Sequence, residues 1–238
     1  MVLTREAEDS AWLAAALGAA GVRVLAVPCA ATRLLPPAPL PPCVDAVLVT
    51  SRRGVAGLLA WPAASAWLAT GGRDGRRPLL GAVGRSTAAA LAAADLNVTE
   101  VADPPSGERL ARAMAGRLTI GARVAVVRGF LSAGEPEATL AHLGMSVDTV
   151  VVYENVEPAV PRLPAQRVAA VQVAAPSAAR RLLAANPWLV EAPFVVPGET
   201  TARAARALGV GDVRAVGPAR EPQLRALLAA HRAAVEGG

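Results

Sequence analysis

The sequence contains no lysine, since each of its 24 basic residues is an arginine. A Walker-type phosphate loop and a Schiff-base enzyme of the pyridoxal or aldolase type both need a lysine amine. Both classes are therefore excluded. Histidine and cysteine are scarce as well, and the spacing of His142, His231, Cys29 and Cys43 fits neither a Cys/His zinc site nor a two-histidine helix motif. We therefore expect no metal site, and we assign both histidines structural roles.

Aromatic residues make up only 3% of the chain, which is too few to stack a row of nucleic-acid bases. The net charge of +5 is carried by arginines that alternate with 19 acidic residues, as on an ordinary solvated surface. We expect no nucleic-acid partner. A small, multiply anionic ligand remains compatible with the basic balance.

Long apolar runs are missing near the N-terminus. The uncharged stretch at 11–22 is shorter than the roughly 20 residues that span a bilayer. The first ten residues are acidic, unlike the basic start of a secretory signal. These features predict a cytoplasmic protein without membrane contact, in which Cys29 and Cys43 stay free thiols.

Length and hydrophobic patterning predict an α/β protein with two domains. The 238 residues exceed one average domain of about 150, and short β-rich runs alternate with stretches of helical period, as in parallel sheets covered by helices. The predicted strands are 2–3, 23–27, 46–49, 79–83, 97–101, 123–127, 146–153, 170–173, 194–196 and 213–216. The predicted helices are 8–20, 53–59, 86–94, 107–115, 135–143, 177–185, 200–208 and 222–233.

Two proline-bearing segments, 34–43 and 153–165, interrupt this alternation and favour extended linkers. Two crossings predict a discontinuous domain 1 at 1–33 and 156–238, with domain 2 at 34–155 inserted. Internal similarity agrees, because 84–96 resembles 198–210 and 47–59 resembles 171–183. Chance alignment of alanine-rich helices is the alternative explanation of this similarity.

Small or hydroxyl-bearing residues stand where predicted strands end and helices begin. One interpretation makes them N-caps, each worth about 1 kcal/mol of stability. The other makes the helix N-termini at the carboxyl edge of a parallel sheet into sites for carboxylates or phosphates. The residues concerned are Thr50, Ser51, Gly84, Ser86, Thr87, Ser177, Gly198, Thr200 and Thr201.

An ordered series of short motifs runs through nearly the whole chain. They are VLTR at 2–5, Pro28, DAVLVTSRRGV at 45–55, AVGRSTAAAL at 82–91, VVRG at 126–129, LAHLGMSVDTVVVYENV at 140–156, APSAARRLL at 175–183 and PGETTARAARALG at 197–209. In order and spacing this series resembles the uroporphyrinogen-III synthases of tetrapyrrole biosynthesis.

The resemblance implies two similar three-layer domains with parallel sheets, joined by two extended linkers, with the site in the interdomain cleft. It also implies a monomeric lyase without a cofactor, which closes the linear polyanion hydroxymethylbilane into uroporphyrinogen III while inverting ring D. Ring A loses its hydroxyl to give an azafulvene, ring D attacks through its substituted carbon, and the spiro intermediate fragments and recloses. Such an enzyme acts chiefly by holding a flexible chain in one geometry, and proton donation assists.

Candidate site residues follow from the same resemblance. Tyr153 matches the family tyrosine proposed to help the hydroxyl depart, although a solitary tyrosine can also simply pack at a strand end. Thr50, Thr87, Ser177 and Thr201 match hydroxyl positions that line the cleft, and we expect the other loop residues named above to bind substrate with them. Arg128 matches a frequent arginine, with a structural ion pair as its alternative role.

The sequence departs from the family pattern in two places. Alanines at 174 and 175 stand where a hydroxyl residue is usual before the Pro-Ser pair, and Pro197 replaces a more usual aliphatic residue. Because one donor is thereby lost, a non-catalytic tetrapyrrole- or anion-binding module on the same scaffold is the alternative function. A nucleotide-binding α/β protein is disfavoured, since no GxGxxG follows the first strand.

Overall fold

A computed structural model describes residues 1–132 and 134–236, and the side chain of Asp74 is left out. The helices are α1 (Ala7–Ala19), α2 (Arg52–Leu59), α3 (Ala64–Thr70), α4 (Arg85–Ala92), α5 (Gly107–Ala115), α6 (Glu135–His142), α7 (Pro176–Ala185), α8 (Glu199–Ala207) and α9 (Arg220–Glu236). The strands are β1 (Val2–Leu3), β2 (Leu25–Ala26), β3 (Ala31–Leu34), β4 (Ala46–Val49), β5 (Leu79–Val83), β6 (Glu100–Ala102), β7 (Arg123–Gly129), β8 (Ser146–Val156), β9 (Val171–Gln172), β10 (Phe194–Val196) and β11 (Val213–Ala215).

The chain divides into two compact units. Unit 1 comprises Met1–Ala31 and Val156–Gly238, and unit 2 comprises Thr32–Asn155. Unit 1 holds a five-stranded sheet in the order β11-β10-β9-β1-β2, and unit 2 a six-stranded sheet in the order β3-β8-β7-β4-β5-β6. Parallel pairing joins β4 to both β5 and β7, and β1 to both β2 and β9. The predicted α/β class with parallel sheets is confirmed; the domain boundaries at 33/34 and 155/156 stay a prediction.

The two sheets share one strand order. The order β6-β5-β4-β7-β8 in unit 2 corresponds to β11-β10-β9-β1-β2 in unit 1. Helix α7 begins 124 positions after α2 (176 − 52), and α8 begins 114 positions after α4 (199 − 85). These are the offsets at which the sequence resembles itself, so each similar segment forms an equivalent strand–helix unit.

Each sheet is covered on both faces, which explains its continuous apolar strands. All four residues of β4 are buried: Val47 and Val49 join one apolar cluster of unit 2, with Leu58 of α2, and Leu48 joins another, with Leu110 of α5. In unit 1, one cluster takes residues from α7 and α8 and the other from α1 and α9. Helices therefore lie on both sides of each sheet.

The proline-rich segment at 34–43 is held by two buried indoles. Trp61 donates a hydrogen bond from Nε1 to the carbonyl of Leu35 at 3.0 Å, and Trp67 donates to the carbonyl of Pro41 at 2.8 Å. Trp67 lies on α3, a helix that the sequence prediction omitted. The prediction passed over the apolar spacing of Trp61, Ala64 and Leu68, which is typical of one helix face.

The second predicted linker was wrong at its start, because β8 continues to Val156 and includes Tyr153. β-Branched residues favour the strand, and its pairing with β7 extends to Gly129 and Tyr153. Further along, the buried side chain of Asn186 accepts a hydrogen bond from the amide of Leu163 at 2.6 Å and donates to the carbonyl of Pro161 at 2.9 Å. A buried amide therefore fixes segment 161–163 to the end of α7.

Candidate active site

The carboxyl ends of parallel strands meet at one edge of a sheet, and in unit 2 this edge gathers four of the motif residues. Ser51 follows β4, Gly84 follows β5, Gly129 ends β7 and Tyr153 lies near the end of β8. Because β8, β7 and β4 are neighbours in the sheet, residues far apart in the sequence become adjacent there.

The hydroxyls of Tyr153 and Ser51 form the centre of this edge. The phenol oxygen lies 3.1 Å from Ser51 Oγ, and either oxygen can donate the hydrogen bond. Ser51 is also the N-cap of α2, since its Oγ accepts a hydrogen bond from the amide of Gly54 at 2.9 Å. The tyrosine is therefore linked through one serine to the start of a helix.

Two glycines let α2 approach the sheet closely enough for this contact. A Cβ atom at Gly57 would lie 2.8 Å from both Cγ2 and the carbonyl oxygen of Val152, and one at Gly54 would lie 3.3 Å from Cγ1 of Val49. Larger residues at these positions would push the helix, and Ser51 with it, away from the strands.

Gly129 provides the space for the tyrosine ring. A Cβ atom there would lie 2.5 Å from Cζ and 2.6 Å from Cε2 of Tyr153. The pairing of β7 with β8 shifts register between Arg128 and Gly129, and the amide of Phe130 donates to the Tyr153 carbonyl at 2.8 Å. The half-buried ring thus lies directly over the backbone of β7.

Arg128 makes an ion pair, the alternative role that the sequence left open. Its Nε lies 2.5 Å from Oε1 of Glu137 on α6, with both side chains largely buried, although the N–H is not aligned as a hydrogen bond. Its Nη1 donates to the carbonyls of Gly129 and Phe130 at 3.0 and 3.2 Å. Arg128 therefore supports the backbone beneath the tyrosine ring; sequence reasoning missed Glu137, for which no motif gives a signal.

The predicted hydroxyl caps are correct only at Ser51. Helices α4, α7 and α8 begin without a side-chain cap, after Gly84, Ala175 and Gly198. Their hydroxyls stand inside the first turn instead, where a side chain cannot reach back to the free amides as an N-cap does. The prediction also missed Ser106, whose Oγ accepts from the amide of Arg109 at 3.2 Å and caps α5.

The first turns of α4 and α8 repeat one arrangement in the two units. At the second helical position the hydroxyl is exposed, in Ser86 and in Thr200; at the third it is buried, in Thr87 and in Thr201. The preceding glycines differ. Gly84 has φ of 83°, which favours glycine, whereas Gly198 is extended at 177°.

Thr50 and Thr4 use their hydroxyls on the backbone. Thr50 Oγ1 donates to the carbonyl of Val127 at 3.2 Å, so its proton is engaged. Thr4, buried after β1, accepts from the amide of Ala174 at 3.1 Å. The hydroxyl of Thr4, which follows the neighbouring strand β1, therefore binds the loop at 174–175, where this sequence has alanines in place of a hydroxyl residue. Ser177 is exposed on the first turn of α7.

Among the described residues, no group of three or more histidine, cysteine or acidic side chains is arranged to hold a metal ion. Within the same residues, no helix is long and apolar enough to cross a membrane.

Comparison with known proteins relates the chain to one family. A family model described as uroporphyrinogen-III synthase HemD matches residues 12–229. The uroporphyrinogen-III synthetase of Helicobacter pylori is similar in structure, with 19% identity, 86% of this chain and 92% of that chain covered, and a TM-score of 0.59. A mutant uroporphyrinogen III synthase from the extremely thermophilic bacterium Thermus thermophilus is 20% identical over 100% of this chain and 99% of that chain, with a TM-score of 0.50.

At such identities the two structures show a shared fold. No curated protein matches the chain significantly. The family model, however, spans most of the sequence and includes every candidate site residue. The chain therefore belongs to the uroporphyrinogen-III synthase family.

Proposed function

We propose that this chain is a uroporphyrinogen-III synthase, a lyase that cyclises hydroxymethylbilane to uroporphyrinogen III with inversion of ring D and loss of water. The family match carries this proposal. The hydroxyl pair of Tyr153 and Ser51 supports it, because the reaction begins with the departure of a hydroxyl group.

Tyr153 is the proposed proton donor. As the C–O bond of the ring A hydroxymethyl group breaks, the ring A nitrogen supplies the electrons and the phenol protonates the departing oxygen, so that water leaves and a protonated, positively charged azafulvene remains beside the phenolate. The substituted carbon of ring D then attacks, and the spiro intermediate fragments and recloses. The last step releases a proton from ring D, which restores the phenol.

Orientation is the larger contribution, since the flexible substrate must present the substituted carbon of ring D to ring A. The exposed hydroxyls of Ser86, Ser177 and Thr200, at helix starts after parallel strands, are the proposed contacts for its carboxylates. Buried Thr87 and Thr201 and the glycines at 84 and 198 shape these turns, and Arg128 holds the loop after β7.

The reaction transfers no electrons to or from the protein, so we propose that it proceeds without a cofactor. We further propose that the protein acts as a monomer in the cytoplasm. An arginine-rich surface without lysine suits a multiply charged acid, because guanidinium groups bind carboxylates in a bidentate way.

An isomer assay tests the function. The purified protein is mixed with freshly generated hydroxymethylbilane, and the products are oxidised and separated into porphyrin isomers I and III. We expect isomer III in excess over a protein-free control, which closes without inversion to isomer I. Isomer I alone would overturn the proposal, and substrate binding with that result would indicate a non-catalytic module.

The tyrosine is tested separately by Tyr153→Phe, which keeps the ring and removes the proton donor. We expect kcat to fall about a hundredfold, within the range for loss of a general acid, with little change in KM. Unchanged kinetics would remove Tyr153 from the mechanism. Ser177→Ala, by contrast, is expected to raise KM more than it lowers kcat, because it removes a substrate contact.

A further inference from the structure

We propose that Ser51 is a positioning residue that stabilises the phenolate formed when Tyr153 gives up its proton, rather than a substrate contact. This inference rests on the proposed function, because it assigns a role within the same reaction. It is carried by two consecutive hydrogen bonds: the Gly54 amide nitrogen lies 2.9 Å from Ser51 Oγ, and Ser51 Oγ lies 3.1 Å from the Tyr153 phenol oxygen.

A serine hydroxyl has one proton to donate and two lone pairs to accept. The Gly54 amide occupies one lone pair of Ser51. When the phenol protonates the leaving hydroxyl, its oxygen becomes negative and can only accept. Ser51 must then turn its own proton toward the phenolate, since the hydrogen bond between the two oxygens can run in either direction.

The start of α2 makes this donation stronger. A hydroxyl that accepts a hydrogen bond becomes a better donor, because the two bonds polarise each other. The N-terminus of α2 also carries the partial positive charge of the helix dipole, which favours a negative oxygen nearby. Ser51 thus links the N-terminus of α2 to the phenol of Tyr153 through two hydrogen bonds, and Tyr153 is only half-buried.

The ring cannot leave this arrangement easily. It lies over Gly129, and the Tyr153 carbonyl is held by the amide of Phe130 at 2.8 Å. Arg128 in turn binds the carbonyls of Gly129 and Phe130, and these hydrogen bonds hold the backbone that the ring contacts. With the ring held in this way, Ser51 is placed to form a hydrogen bond with the phenol oxygen.

Substitutions at Ser51 separate the donor role from helix capping. Ser51→Ala removes both, and we expect kcat to fall tenfold to about a hundredfold with KM nearly unchanged, the effect of losing one hydrogen bond to a charged group. Ser51→Asp caps α2 as well as serine does but has no proton to donate and opposes a negative phenolate, so kcat is expected to fall at least as far. Ser51→Thr keeps the hydroxyl and should restore most of the activity.

Ser106→Ala is the matched control, because Ser106 caps α5 in the same way but is not bonded to the tyrosine. We expect it to destabilise the protein about as much as Ser51→Ala does, with kcat unchanged. In addition, Ser51→Ala should cost nothing further in a Tyr153→Phe background, since the serine acts through the phenol. Full kcat in Ser51→Asp, or additive losses with Tyr153→Phe, would overturn the inference.

A measurement without turnover distinguishes failure of this inference from failure of the proposed function. Tyr153 is the single tyrosine in the chain, so incorporation of fluorotyrosine gives one fluorine resonance that reports its surroundings. We expect this resonance to move in Ser51→Ala and to stay in place in Ser106→Ala. A wild-type protein that makes no isomer III but shows this pattern would refute the function and keep the contact; no change in either variant would refute the contact.

Discussion

Gly129→Ala is expected to destabilise the protein because of one side chain, the ring of Tyr153. The backbone at Gly129 is outside the left-handed region, so alanine meets no conformational strain there. The added Cβ, however, would lie 2.5 Å from Cζ of the ring, against an ordinary contact of about 3.5–4.0 Å between carbon atoms. The ring must therefore move by about 1 Å, or the strands must separate.

Overpacking of a buried site typically costs about 1–3 kcal/mol, and we expect about 2 kcal/mol here, because the ring is also held by its backbone and its hydrogen bond to Ser51. If the ring is the cause, the cost disappears when it is removed. In a Tyr153→Ala background, Gly129→Ala should therefore change the free energy of unfolding by less than about 0.5 kcal/mol.

Urea unfolding followed by tryptophan fluorescence measures all four members of this cycle, since Trp61 and Trp67 are buried in the same unit. Gly116→Ala is the control. Gly116 is helical at the end of α5, and a Cβ there would meet only ordinary contacts of 3.5 Å or more, so the substitution should be neutral or slightly stabilising. An equal cost of Gly129→Ala with and without the Tyr153 ring would refute the argument.

Three further predictions concern stability. Asn186→Ala removes the buried side chain that binds the part-buried Leu163 amide and Pro161 carbonyl, and should cost about 2 kcal/mol in urea unfolding, whereas a cost below about 0.5 kcal/mol would contradict these contacts. Burial raises the pKa of the Cys29 thiol from 9.0 to about 11, so the protein should lose stability as the pH rises above 9, and Cys29→Ala should abolish that part of the decline. The hydrogen bond from Arg123 lowers the pKa of Asp148. The stability that this ionised carboxylate contributes to the folded protein is therefore lost as the pH falls below 3.8, and Asp148→Asn should reduce the loss of stability at acid pH.

The sequence predicted the central strands well, because their signal is local. The bounds of β4 and β5 agree with the prediction to the residue, and so do those of α5. Continuous apolar runs that end at polar residues or glycine are typical of buried parallel strands. Short edge strands were harder: β3 went unnoticed, and β6 begins three residues later than predicted, because few apolar residues mark them.

The candidate site, like the fold, was only partly predictable from local sequence. The motifs singled out Tyr153 and Ser51 as separate residues, one as a catalyst and the other as a loop contact, and both roles stay predictions; the contact between them was not predicted. Sequence patterns also predicted hydroxyl caps on α4, α7 and α8 that the structure replaces with glycine and alanine. Whether a hydroxyl precedes a helix or stands in its first turn depends on where the helix begins, and local propensity fixes that only to within a few residues.

The sequence by itself determined the alternation of most strands and helices, the parallel sheets and the internal repeat, since apolar period and turn residues act over short distances along the chain. Only the tertiary structure decided that the phenol of Tyr153 meets a serine 102 positions away. That contact depends on β4, β7 and β8 lying side by side and on the missing side chains of Gly57 and Gly129, which let a helix and a ring approach the backbone. Such close approaches are set by packing between distant segments, for which no single stretch of sequence carries the signal.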